Sequence, residues 1–99
     1  MIFKNKKAEA EYAKIKALNE DGEYSGAVIR FMDKWTELLE DKITNRKFPR
    51  YIIRKNAEQT AKLADTENIT GRQCDYAVDV LSQTWKYGKT LRRWYLSQM

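Results

Sequence analysis

Glu37, Glu40 and Asp41 lie near one another along the chain, as do Asp65 and Glu67, so carboxylates alone could in principle hold a cation there. Lys residues are interspersed with them, and that mixture marks a solvated helix face more readily than a metal site. The chain has no His, so the side chain that most often moves protons near neutral pH is missing. Neither a Ser–His nor a Cys–His nucleophile can therefore be assembled within one copy. Cys74 is the single Cys, which excludes an intrachain disulfide and, with His absent, the usual zinc spacings. As a small apolar residue on a helical stripe it reads as packing rather than as a reactive thiol. The four Gly are scattered at positions 22, 26, 71 and 88 and form no phosphate-cradling loop. These residues predict no enzyme, no catalytic residue, no metal and no cofactor, and they identify no small-molecule substrate.

Cationic and aromatic residues are more informative. Residues 46–64 hold six basic groups against Glu58 alone, and this stretch supplies the excess behind the formal net charge of +5. Arg46, Lys47, Arg50, Arg54 and Lys55 could meet phosphates, with Phe48 and Tyr51 available for stacking. Residues 50–80 read as a loose helix-turn-helix in which Arg72 and Gln73 open the second helix, so nucleic-acid binding is the alternative function. Against it, the turn exceeds the usual three or four residues, and Asp75 and Asp79 near the helix start would repel phosphates.

The favoured function is a protein-interaction or self-association module. The run Trp85 to Leu96 is rich in Trp, Tyr and Arg, the residue types that dominate binding hot spots. Tyr87, Trp94, Tyr95 and Leu96 are its candidate interface, and a homodimer through this end is expected. The competing possibility is that the first helix or Met1-Ile2-Phe3 folds over these residues. The same basic aromatic end would suit a membrane surface, but its apolar stripe continues from the core half of the helix, which favours packing. No apolar stretch has the length of a signal peptide or a membrane span, so a cytoplasmic protein is expected.

The elements that must position these residues are helices, since one Pro and few Gly leave little turn chemistry for a sheet. With 99 residues and 42% hydrophobic content the chain can bury one core as one domain, 1–99. A first helix is predicted from about Asn5 to Asn19, burying Ala8, Tyr12, Ile15 and Leu18. A second carries Tyr24, Val28, Phe31, Met32, Trp35, Leu38, Leu39 and Ile43 at helical spacing. A third, from about Pro49 to Ala64, shows small residues on one side and should lie close to the second or the fourth. The fourth is announced by Thr70-Gly71-Arg72-Gln73, a capping box with Ile69 and Cys74 as its hydrophobic staple.

From that cap Cys74, Ala77, Val78, Leu81, Trp85, Gly88, Leu91 and Tyr95 draw one stripe. A single helix from Gly71 to about Ser97 would be roughly 40 Å long and would overhang the third, at roughly 22 Å. On such a rod Lys86, Lys89, Arg92 and Arg93 would suit the negative end of the dipole. The expected fold is thus all-α, a four-helix bundle-like single domain with a long C-terminal helix.

The run ITGRQCDYAVDVLSQTWKYGKTLRRWY, with FMDKWTELLEDKI upstream, resembles small uncharacterised helical proteins of bacteria, their phages and mobile elements. The likeness covers about half the chain and implies a helical fold and an accessory role; no catalytic or ligand residue comes with it.

Overall fold

The computed structural model describes residues 1–18, 26–45 and 50–97, with the side chains of 42–45 and 50–56 left out of the description. Five helices run through these residues: α1 (Lys6–Leu18), α2 (Gly26–Asn45), α3 (Arg50–Thr66), α4 (Gly71–Thr84) and α5 (Gly88–Ser97). The fold is all-α, as the periodicity predicts. Tyr24 and residues 46–49 lie outside the described residues, as do the side chains of Ile43, Tyr51 and Ile53.

Helix α2 is the centre because its apolar residues recur every third or fourth position. Val28, Phe31, Met32, Trp35 and Leu39 all turn inward and are buried. They meet Ala77, Val78, Val80 and Leu81 of α4, Leu91 and Trp94 of α5, and Tyr12 of α1 in one core. The Trp35 ring lies 5.0 Å from Phe31 and 6.1 Å from Trp94, centroid to centroid. Its indole N–H donates to Thr60 Oγ1 at 2.9 Å, which fixes α3 against α2 and satisfies the one polar atom of a wholly buried side chain. Thr36 and Thr84, buried among these apolar groups, donate their hydroxyls back to the carbonyls of Met32 and Val80, four residues earlier.

The helix ends are capped as their residue types require. Asn5 Oδ1 accepts from the Ala8 N–H at 2.8 Å and opens α1. The capping box at α4 is present in both directions: Gln73 N–H donates to Thr70 Oγ1, and Thr70 N–H donates to Gln73 Oε1. Helix α3 ends in a Schellman motif, with Ile69 N–H donating to the Ala64 carbonyl and Asn68 N–H to that of Asp65. Asn68 has the left-handed φ of 55° that this motif places just beyond the helix. Ile69 packs on the core, so one residue both ends α3 and leads into the cap of α4.

Two expectations are corrected. Leu18, placed on the buried side of the first helix, is 80% exposed; only Ala8 and Tyr12 of α1 are buried, and Ile15 is half-buried. The C-terminal third, expected as one rod, is divided. Trp85 leaves α4 in an extended conformation (φ −84°, ψ 141°), Lys86 and Tyr87 turn, and α5 starts at Gly88. The stripe survives the division. Ala77, Val78, Leu81, Trp85, Gly88 and Leu91 are all buried, because α5 doubles back along α4 rather than extending beyond it.

Candidate functional site

The division between α4 and α5 is built by tertiary partners. The first residues of the chain run alongside it, and Phe3 and Trp85 pair as an isolated antiparallel bridge. Lys4 N–H donates to the Thr84 carbonyl and Lys86 N–H to that of Ile2, both at 2.9 Å. The Glu40 carboxylate of α2 accepts from the Trp85 indole N–H at 2.6 Å and from the Ile2 N–H, with the Met1 ammonium 3.7 Å away. Glu40, weighed in the sequence only as a carboxylate near Glu37 and Asp41, is thus the post to which the strap and the joint are both tied. The chain start thus lies along the joint at Thr84 to Lys86.

Gly88 supplies the room for the reversal. A methyl built on it would sit 2.0 Å from the Leu81 carbonyl oxygen and 2.7 Å from the Ser82 Cα, so only a hydrogen fits where α5 departs. Farther along, Tyr95 Oη donates to the Asp75 carboxylate, joining the end of α5 to the N-terminal half of α4 and making the pair an antiparallel hairpin. Burial pushes the Tyr95 phenol well above its ordinary range, and the hydrogen bond to Asp75 adds to the shift. Cys74 is half-buried beside it with its thiol also pushed up by burial, which makes it a packing residue and a poor nucleophile.

This geometry redistributes the expected interface. Trp94 is 7% exposed and stacks toward Trp35, so it belongs to the core; its place there follows from α5 folding back, and it is not on the surface of one copy. Its indole N–H is buried without a partner among the described residues. Tyr87 is half-buried, edge-on to Trp85 with centroids 5.5 Å apart, and Tyr95 is half-buried and tethered to Asp75. Leu96 is 54% exposed.

The sequence pattern assigns the cations of the last helix to its dipole and Leu96 to an interface; the structure gathers them on the outward face of α5. Lys89, Arg92, Arg93 and Leu96 stand at i, i+3, i+4 and i+7, all exposed, with exposed Lys86 one turn before them. No Asp or Glu occurs from Val80 to Met99, and these four cations make no ion pair with the described residues. Lys86 lies over the Tyr87 ring, 5.5 Å from its centroid. On an unbroken rod all four would complement the negative helix end. Because α5 begins at Gly88, Lys86 and Lys89 instead flank a positive helix N-terminus, where a cation is locally unfavourable.

The basic segment is less informative. Arg46 and Lys47 lie outside the described residues, as do the side chains of Arg50, Arg54 and Lys55, whose backbone is in α3. Gln73 is engaged in the capping box, Tyr76 packs against the core, and Arg72 is exposed at the start of α4. Of the other carboxylates, Glu67 is held between Lys34 Nζ at 2.6 Å and Arg30 Nε at 3.2 Å. Those bonds, from Lys34 first and Arg30 second, keep its carboxyl below the ordinary range. Between α2 and α3 an open groove of about 320 Å³ is lined by Lys34, Leu38, Gln59, Lys62, Leu63 and Thr66. Among the described residues no helix is long and apolar enough to cross a membrane.

Over its whole length, residues 1–99, the chain matches the family model described as type I Thoeris inhibitor Tad4. No curated protein and no solved structure matches it.

Proposed function

The chain belongs to the Tad4 family of type I Thoeris inhibitors, phage anti-defence proteins, and from that premise we propose that it inhibits by binding, occupying an acidic surface on a protein of the defence system with the outer face of α5. The observation that carries this is the ridge of Lys86, Lys89, Arg92 and Arg93, exposed, without an ion pair among the described residues and ending on the exposed Leu96. Two of these cations sit at a helix N-terminus against the local electrostatic preference. Apart from the contact of Lys86 with the Tyr87 ring, the described residues give these cations no partner within the chain, which favours their use in contact with something else. Tyr87 and Tyr95 border the ridge and add the amphipathic area that binding surfaces favour. An acidic protein surface is the complement of such a face, and steering by charge would speed its capture.

Acting as a binder, the protein works stoichiometrically, without turnover. The test is the double reversal Lys89→Glu with Arg93→Glu, assayed for restored Thoeris defence in cells and for folding by circular dichroism. Reversing two interfacial charges should weaken binding by roughly tenfold or more, leave helicity unchanged and relieve inhibition. Full inhibition by a folded double variant would remove the face from the mechanism.

A further inference from the structure

We propose that the α4–α5 hairpin is exchangeable, and that a second copy of this chain can receive α5 on its own α4 when the joint at Trp85–Gly88 straightens. The joint holds no residue that ends a helix by itself. Trp85, Lys86 and Tyr87 all tolerate helix, no Pro intervenes, and Gly88 has no left-handed φ. The apolar stripe from Cys74 to Tyr95 keeps helical spacing straight through the bend. Local preference therefore continues α4 into α5, and what bends the chain is tertiary: the bridge from Phe3, the backbone bonds of Ile2 and Lys4, and the Glu40 carboxylate on the Trp85 indole.

Straightening on its own would leave Leu91 and Trp94 without the surfaces they cover. A second copy opened in the same way offers those surfaces, so two chains can trade α5 from Leu91 onward and restore the same buried contacts between copies. Exchange of an identical element costs little because only the hinge changes conformation. The hairpin carries this independently of how inhibition works.

Gly88→Ala separates the two forms. In the bent chain its methyl meets the Leu81 carbonyl oxygen across the turn; in a continuous helix residues 81 and 88 are about 10 Å apart along the axis, and Ala is the better helix former. Sedimentation equilibrium and amide hydrogen exchange of the full chain are the measurements. Gly88→Ala is expected at twice the 11.7 kDa mass of one chain, helical, with slowed exchange at the joint amide of Tyr87, which gains a helical acceptor, whereas the Lys86 and residue 88 amides are already bonded in the bent chain. A folded monomer overturns the proposal, and so does a dimer whose Tyr87 amide exchanges as fast as in the wild type. Should Gly88→Ala fail to fold, Glu40→Ala decides, because it releases the Trp85 indole and the strap while keeping the glycine. A Glu40→Ala dimer with a slowed Tyr87 amide supports exchange; a Glu40→Ala monomer, or loss of fold in both variants, overturns it.

Discussion

Trp94 and Trp35 carry the same side chain into the same core with different polar accounts. The Trp35 indole N–H has Thr60 as acceptor, whereas that of Trp94 is buried without a partner among the described residues. A buried aromatic truncated to Ala costs about 3–5 kcal/mol, so Trp94→Ala should lower the denaturation midpoint clearly but less than Trp35→Ala, which also loses the bond to Thr60; a folded Trp94→Ala variant with wild-type stability would return that residue to the surface. At Tyr12 the hydroxyl donates to Asp33 Oδ1 at 2.7 Å and ties α1 to α2. Burial first, then Asp33, raises this phenol far above its ordinary range. A raised folded value favours the neutral, folded form. Its contribution is complete below the unfolded phenol value of about 10 and declines above it. Urea titrations at neutral and at strongly alkaline pH should show a loss in the wild type that is smaller in Tyr12→Phe.

The ends of the helices decide what the elements can position. Thr70→Ala should cost about 1 kcal/mol by removing one half of the capping box, measurable as a shift of the urea midpoint. Just upstream, Glu67 ties the turn after α3 to Arg30 and Lys34 of α2. Its lowered carboxyl value means that this tie is complete above the unfolded value of about 4.3 and is lost as the pH falls through the folded one. Acidification from pH 5 to pH 3 should therefore destabilise the wild type more than Glu67→Gln, and equal losses would show that the carboxylate has no such role. These caps were legible because a cap is local: Thr70 and Gln73 are three residues apart. The ion triad was not, since Arg30 and Glu67 are separated by 37 positions and no periodicity links them.

Across the whole molecule, the strap, the Glu40 post and the hairpin form one device. Removing residues 1–4 would strip the bridge to Trp85 and both backbone bonds that flank it. Such a chain should show faster amide exchange at residues 84–88 and an indole more accessible to fluorescence quenching, while α2 keeps its protection. The α5 face belongs to this scale as well, because it exists only once α5 has folded back and presented Lys89, Arg92, Arg93 and Leu96 outward.

Composition and spacing by themselves determined an all-α chain, the amphipathic α2 with Trp35 at its centre, the start of α4, and the burial of the stripe from Ala77 to Leu91. Each of these is written in neighbours three or four residues apart, within reach of a single helix. Tertiary structure alone decided that the last third is two helices, that Trp94 is core, and that Lys86 and Lys89 stand at a helix N-terminus. The physical reason is that a helix continues wherever local preference allows it unless distant groups offer more. Here Phe3, Ile2 and Glu40, remote in sequence and adjacent in space, satisfy the Trp85 indole and the joint's backbone, and Gly88 gives the returning helix room to pass.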